Sequence, residues 1–128
     1  MSRYKVLVDS SVWIQYFRYG DGEKLSRLIE EDLVCTNELI FTEIAPILIK
    51  NGQNEVLDGL KALEFVPLII NWEGIRNLQL HNLNQGINKI GIPDLIILQQ
   101  VIDEKLSLYT LDKHFKLMQK HVNFDLYS

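Results

Sequence analysis

Tyr4-Lys5-Val6-Leu7-Val8-Asp9-Ser10-Ser11-Val12-Trp13-Ile14 is the stretch whose reading decides the fold. Residues 4–8 form a short β-branched run that ends at a carboxylate. Such a run, without polar alternation, reads as a strand buried on both faces. Ser10 or Ser11 then caps a helix that carries Val12, Trp13, Tyr16 and Phe17 and stops near Gly20 and Gly22. A strand that passes at once into a helix opens an α/β arrangement, and the rest of the chain keeps that rhythm.

Moving outward, residues 23–31 place Leu25, Leu28 and Ile29 on one helical face. Residues 33–36 (Leu-Val-Cys-Thr) are a second strand. Residues 39–50 read as a broadly apolar helix, with Pro46 expected to kink or disturb it. Residues 54–63 are amphipathic through Val56, Leu57, Leu60 and Leu63. Residues 65–68 suit an edge strand, because Pro67 cannot donate to a central ladder. The second half repeats the pattern: a helix over 72–84 with Ile75, Leu78 and Leu83 inward, then a polar loop over 86–91. Pro93 suits the first turn of a helix carrying Leu95, Leu98, Val101 and Ile102. A strand over 106–110, a helix over 113–120 and a short strand over 122–126 complete the chain. Strands separated by helices imply a three-layer α/β/α sandwich around a mostly parallel sheet of four to five strands.

Composition bounds the function. The chain has 128 residues, which fits a single domain over 1–128. Apolar residues make up 47%, enough to close a core at this size, and charged residues only 23%, which excludes a disordered chain. Thirteen basic against 17 acidic residues give a net charge of -4, which excludes a protein that coats nucleic acid by charge alone. The one cysteine, Cys35, has no internal disulfide partner, as befits a reducing compartment. No apolar stretch approaches bilayer length, and the apolar start is too short for a secretory signal. The expectation is a soluble, cytoplasmic domain.

Four acids stand in places that call for chemistry. Asp9 follows Lys5-Val6-Leu7-Val8, and Asp112 follows Leu108-Tyr109-Thr110-Leu111, so both belong at the carboxyl edge of a parallel sheet, where ligands bind. Asp94 lies in the first turn of its helix behind Ile92-Pro93, where the helix dipole favours an anion. Glu43 lies amid Ile40, Phe41, Ile44, Ile47 and Leu48, where an ionised group is costly without a partner. Taken singly, these are ordinary helix caps, first-turn acids or a side chain that snorkels to solvent. Taken together they cannot be partners for one another at neutral pH, because like charges repel. A divalent cation resolves the conflict, and an all-oxygen donor set suits Mg²⁺ or Mn²⁺ rather than Zn²⁺.

The segments Val8-Asp9-Ser10-Ser11-Val12-Trp13-Ile14, Thr42-Glu43-Ile44, Ile92-Pro93-Asp94-Leu95-Ile96 and Tyr109-Thr110-Leu111-Asp112-Lys113-His114-Phe115 resemble, in that order, the PIN-domain ribonucleases. Within them, the resemblance is to the VapC toxins of bacterial and archaeal VapBC toxin–antitoxin pairs. The resemblance implies that Asp9, Glu43, Asp94 and Asp112 form an acidic cluster, with Ser10 or Ser11 and Thr110 as nearby hydroxyls. It implies one or two Mg²⁺ or Mn²⁺ ions that activate water for cutting RNA, with Asp9, Asp94 and Asp112 as direct ligands. Glu43 is expected to hold a second ion or orient the water. It further implies a homodimer inhibited by a VapB-like antitoxin, and the apolar residues on more than one face of the helix around Glu43, with Ile69, Ile70 and Trp72, offer surface for such partners.

Competing classes fare worse. Phosphatases of the haloacid dehalogenase type want an acid two residues after the nucleophile, where this chain has Ser11. Receiver domains want paired acids at the end of the first strand, which are missing. A catalytically inactive PIN-like module that binds RNA or protein would be marked by loss of an acid, and none is lost; a free-standing PIN nuclease of RNA processing is the other alternative. Lys113, Lys116 and Lys120 share a helix face, either an ordinary solvated one or one that meets RNA phosphates. His81, His114 and His121 lack paired spacing for a metal and read as surface or half-buried residues. Trp13, Tyr16 and Phe17 read as core or subunit contacts, and Cys35 as inert packing.

Overall fold

The computed structural model describes residues 5–20 and 23–128. Five short strands make one sheet: β1 (Val6–Val8), β2 (Val34–Thr36), β3 (Glu64–Phe65), β4 (Ser107–Tyr109) and β5 (Asp125–Leu126). Their order is β3-β2-β1-β4-β5, and every pair is parallel. β1 is central, with Leu7 in register with Cys35 on one side and Leu108 on the other. The helices that flank the sheet are α1 (Ser10–Tyr19), α2 (Lys24–Glu30), α3 (Glu38–Lys50), α4 (Asn54–Lys61), α5 (Trp72–Asn84), α6 (Ile92–Asp103) and α7 (Lys113–Met118). This is the parallel α/β/α sandwich the alternation demands. Among the described residues no helix is long and apolar enough to cross a membrane.

The core gathers on both faces of β1 and β4. Leu7, Leu108, Ile40, Ile44, Leu95, Leu98, Phe115 and Met118 are all essentially fully buried. Each such side chain contributes roughly 1.5–3 kcal/mol by leaving water, so helices packed on the sheet outweigh its very short ladders. Cys35 is buried in β2, where burial, followed by the charge of Glu64, pushes its thiol up to about 12. It is a packing residue with no thiolate to offer. Trp13 is buried too, stacked on Phe17 and edge-on to Tyr16.

Four local expectations need correction. The N-cap position of α1 is Asp9, extended at φ -69° and ψ 156°, rather than Ser10 or Ser11, because the helix begins directly after Asp9 and takes both serines into its first turn. The edge strand expected over 65–68 pairs at Glu64–Phe65 instead, ahead of Pro67, which has no N–H to add to the ladder. Leu83 is 54% exposed and Asn82 takes the inward place, since the helical period that buries Ile75 returns at 82. α7 stops at Met118, so Lys120 lies beyond the helix of Lys113 and Lys116. Gly20 terminates α1 in the left-handed region, φ 76°, which glycine adopts without steric cost. Tyr4 and Gly22 lie outside the described residues.

A set of buried amides fixes how the helices meet. Gln100 of α6 accepts from Asn37 Nδ2 at 2.7 Å, and its own amide donates to the carbonyls of Val66 and Pro67 at 3.2 Å each. Asn37 also caps α3, accepting from Ile40 N–H at 2.8 Å. The adjacent Gln99 exchanges two hydrogen bonds of 3.1 Å with the backbone of Asn71, which caps α5 through Gly74 N–H. A Cβ at Gly74 would lie 2.6 Å from Gln99 Nε2, so any larger residue there would displace the Gln99 amide from its bonds to Asn71. Through these bonds α6 is tied to the starts of α3 and α5.

Candidate active site

β1 and β4 are neighbours, but the chain leaves β1 toward β2, on the other side. The crevice at their carboxyl ends is therefore the topological switch point of the sheet. Asp9 and Asp112 are both delivered there by strand ends. Asp9 is buried, 5% exposed, and its backbone N–H donates to Tyr109 O at 2.9 Å, continuing the β1–β4 ladder. Its Oδ2 accepts from Ser11 Oγ at 2.9 Å and from Thr110 Oγ1 at 2.8 Å. Each hydroxyl in turn accepts a backbone N–H, Ser11 from Leu111 at 3.1 Å and Thr110 from Asp112 at 3.0 Å. The two rotors are thereby fixed with their protons on Asp9, and the segment leading to Asp112 is stitched to Asp9. This is why serines that were expected to cap a helix do not.

Asp112 caps α7 instead, its Oδ1 accepting from His114 N–H at 2.9 Å, and it is half-buried. Asp94 enters from the first turn of α6, opposite. Asp94, Asp112 and His114 form a compact group: one ligand atom from each lies within 4.8 Å of the others. Asp9 and Glu43 are outside that group but close enough to act on it. Burial, then the charges of Asp112 and Asp9, push the Asp94 carboxyl up to about 6, with His114 acting the opposite way. Glu43, on α3, is also pushed up, by desolvation of its carboxylate and by Asp9 and Asp94, while a hydrogen bond from Ser10 pulls it down. Glu43 is an exposed residue.

Each of the four acids picked from the sequence thus feels at least one of the others, and Asp94 lies in the first turn of a helix whose dipole would normally favour its charge. Among the described residues the ion pairs join Lys5 to Glu64, Arg27 to Glu23 and His114 to Asp112, so His114 gives the one ion pair that reaches the cluster. Carboxylate oxygens from three elements and one imidazole are a donor set that fits a divalent cation. The residue missed by sequence reading is His114. Its partners lie on α6 and at the cap of α7, so no spacing along the chain reveals it. A surface cavity of about 650 Å³, lined by residues such as Lys105, Ser107 and Asp125, opens at the opposite edge of the sheet and takes no part in the cluster.

No curated protein sequence matches the chain. Solved structures do resemble it. VapBC2 from Rickettsia felis, bound to a DNA fragment from the promoter, superposes with a TM-score of 0.76 at 16% identity, covering 95% of this chain and 96% of the other. FitAcB from Neisseria gonorrhoeae gives 0.73 at 16% identity, with 96% of each chain covered. VapC20 of Mycobacterium tuberculosis, described as a sarcin-ricin loop cleaving toxin, gives 0.61 at 14% identity over 88% of this chain and 94% of that one. At such identities these likenesses establish the fold. The sequence itself matches the PIN domain over residues 6–120, a span that contains all four acids, Ser11, Thr110 and His114, and the chain therefore belongs to the PIN domain family.

Proposed function

We propose that this chain is a metal-dependent endoribonuclease, acting in the cytoplasm as the toxin of a toxin–antitoxin pair, with 1–128 as one PIN-like domain. The observation that carries the reading is the convergence of Asp9, Glu43, Asp94 and Asp112 on one sheet edge with their charges mutually opposed. Asp9, Asp94 and Asp112 would hold Mg²⁺ or Mn²⁺. Such an ion, when bound, lowers the pKa of water and screens the charge that builds on the phosphodiester. The chain's own residues set the stage for it. Ser11 and Thr110 keep Asp9 in one rotamer, the cap hydrogen bond of α7 fixes Asp112, and Glu43 would hold a second ion or orient the attacking water. The exposed lysines Lys113 and Lys116 on α7 begin beside Asp112 and offer cations to the RNA backbone.

The toxin role and the antitoxin partner are supported by the toxin–antitoxin complexes among the structural likenesses. A homodimer is supported by apolar surface that the fold leaves uncovered: Ile47 and Ile49 on α3, at 40% and 59% exposure, and Ile69 and Trp72, at 80% and 55%. The test is cleavage of a structured RNA by the purified chain with Mg²⁺, with Mn²⁺ and with excess chelator. Cleavage with metal and none with chelator is expected; full cleavage in chelator would refute the mechanism.

A further inference from the structure

Beyond the four carboxylates, we infer that His114 is a nitrogen ligand of the same metal centre and biases it toward Mn²⁺ over Mg²⁺. The inference rests on the metal-dependent reading above. Its starting point is geometric. Among the described residues, the group able to hold an ion with ligand atoms within 4.8 Å of one another is Asp94, Asp112 and His114, and two of these three are carboxylates already assigned to the site. His114 is the second residue of α7. Its backbone N–H is spent on Asp112 Oδ1, which fixes the first turn of the helix and hence the direction in which the imidazole leaves it. The ring then lies half-buried over the cluster, with Nδ1 3.3 Å from Asp112 Oδ1.

The plain alternative is that His114 is a partner of Asp112 and nothing more. That accounts for one contact but not for the second. A ring nitrogen also lies within 4.8 Å of a carboxylate oxygen of Asp94, on α6. A side chain aimed at two acids from different elements occupies the position of a ligand rather than of a one-to-one ion pair. At 3.3 Å the approach to Asp112 is also long for a hydrogen bond, which leaves the ring nitrogen available to a third body. His81 and His121 are exposed and contact each other at 6.3 Å between ring centroids, away from this group.

The chemical consequence is selectivity. Carboxylates alone suit the hard Mg²⁺ ion, whereas imidazole adds affinity along the transition series and gives little to Mg²⁺. A mixed oxygen–nitrogen set therefore favours Mn²⁺ in competition.

The experiment loads the full chain with Mn²⁺ and records electron spin echo modulation, which detects a nitrogen bound directly to the ion. Nitrogen modulation is expected in the wild type and in the His81→Ala/His121→Ala double variant, and its loss is expected in His114→Ala. Calorimetric titration of the same proteins with Mn²⁺ and Mg²⁺ should show the Mn²⁺ preference falling on the order of tenfold in His114→Ala, the scale of losing one metal-site contact, with Mg²⁺ affinity nearly unchanged. Because His114 is half-exposed, the variant folds, and its circular dichroism verifies this. Mn²⁺ that binds the wild type without nitrogen modulation, or modulation that survives His114→Ala, overturns the ligand role while leaving the metal-dependent reading intact. A wild type that binds neither ion overturns both.

Discussion

Helix α6 carries two kinds of polar side chain, and they are treated in opposite ways. Gln99 and Gln100, at its middle, are 7% and 6% exposed, and their amides engage Asn37, Asn71, Val66 and Pro67 with donors facing acceptors. Asp94, one turn earlier, faces carboxylates, and its own carboxyl is pushed up to about 6. Buried amides that are fully paired cost little and impose one geometry. Like charges collected at a sheet edge cost stability, and a sequence that retains them is serving something other than the fold. The same helix thus contributes a joint and a functional edge, and the joint holds the edge in place: Asn37 caps α3, the helix that carries Glu43, while Gln100 belongs to the helix that carries Asp94.

The comparison breaks first, and most visibly, at Asp9. Asp9→Asn keeps shape and can still accept from Ser11 and Thr110, yet it removes one anionic ligand. RNA cleavage should fall by about three orders of magnitude or more, while the melting temperature stays level or rises. A large loss of stability would mean that Asp9 belongs to the fold rather than the edge. Asn37→Ala should do the reverse. It deletes a helix cap and leaves a buried glutamine acceptor unpaired, together about 2–4 kcal/mol in urea unfolding, with cleavage per folded molecule reduced far less than by Asp9→Asn.

Asp94→Asn is the subtlest of the three. The carboxyl titrates near 3.8 when unfolded and about 6 when folded. Between those values the folded chain binds the extra proton, so stability falls as pH rises through the window and stays lower above it. Removing the charge should therefore raise stability at pH 7.5 by about 1 kcal/mol, after discounting for solvent screening. It should also flatten the decline between pH 4 and 6, read from melting curves across that range. No change in slope would show that Asp94 is already compensated.

How much of this was legible in the sequence divides along the same line. The strand–helix rhythm, the parallel sheet and the helix over Trp72–Asn84 follow from local pattern, because burial on a sheet imposes periodicities that side chains record. The strands, expected at four or five residues, have only two or three in the ladder among the described residues, since pairing ends where neighbours run out. The acids could be picked out because carboxylates after apolar runs are chemically conspicuous. Neither His114 nor the role of Gln99 and Gln100 could be. Each acts through a partner on a distant element, for instance across the 63 positions between Asn37 and Gln100, and no local window spans that distance. The serine caps failed for the same reason: the hydroxyl of Ser11 is claimed by Asp9 and by Leu111, 100 positions on.

That long stitch has a consequence for the order in which the molecule comes into being. Asp9 leaves a ribosome well before Thr110, which steadies it from 101 positions downstream. Closing so long a loop carries an entropic cost that only the finished β1–β4 pairing repays. A nascent chain that has reached α6 already holds Asp9, Glu43 and Asp94, but lacks β4, Thr110 and Asp112 altogether. The edge is therefore incomplete until β4 has emerged, and a chain abandoned before that point carries three of the acids with nothing to bring them together.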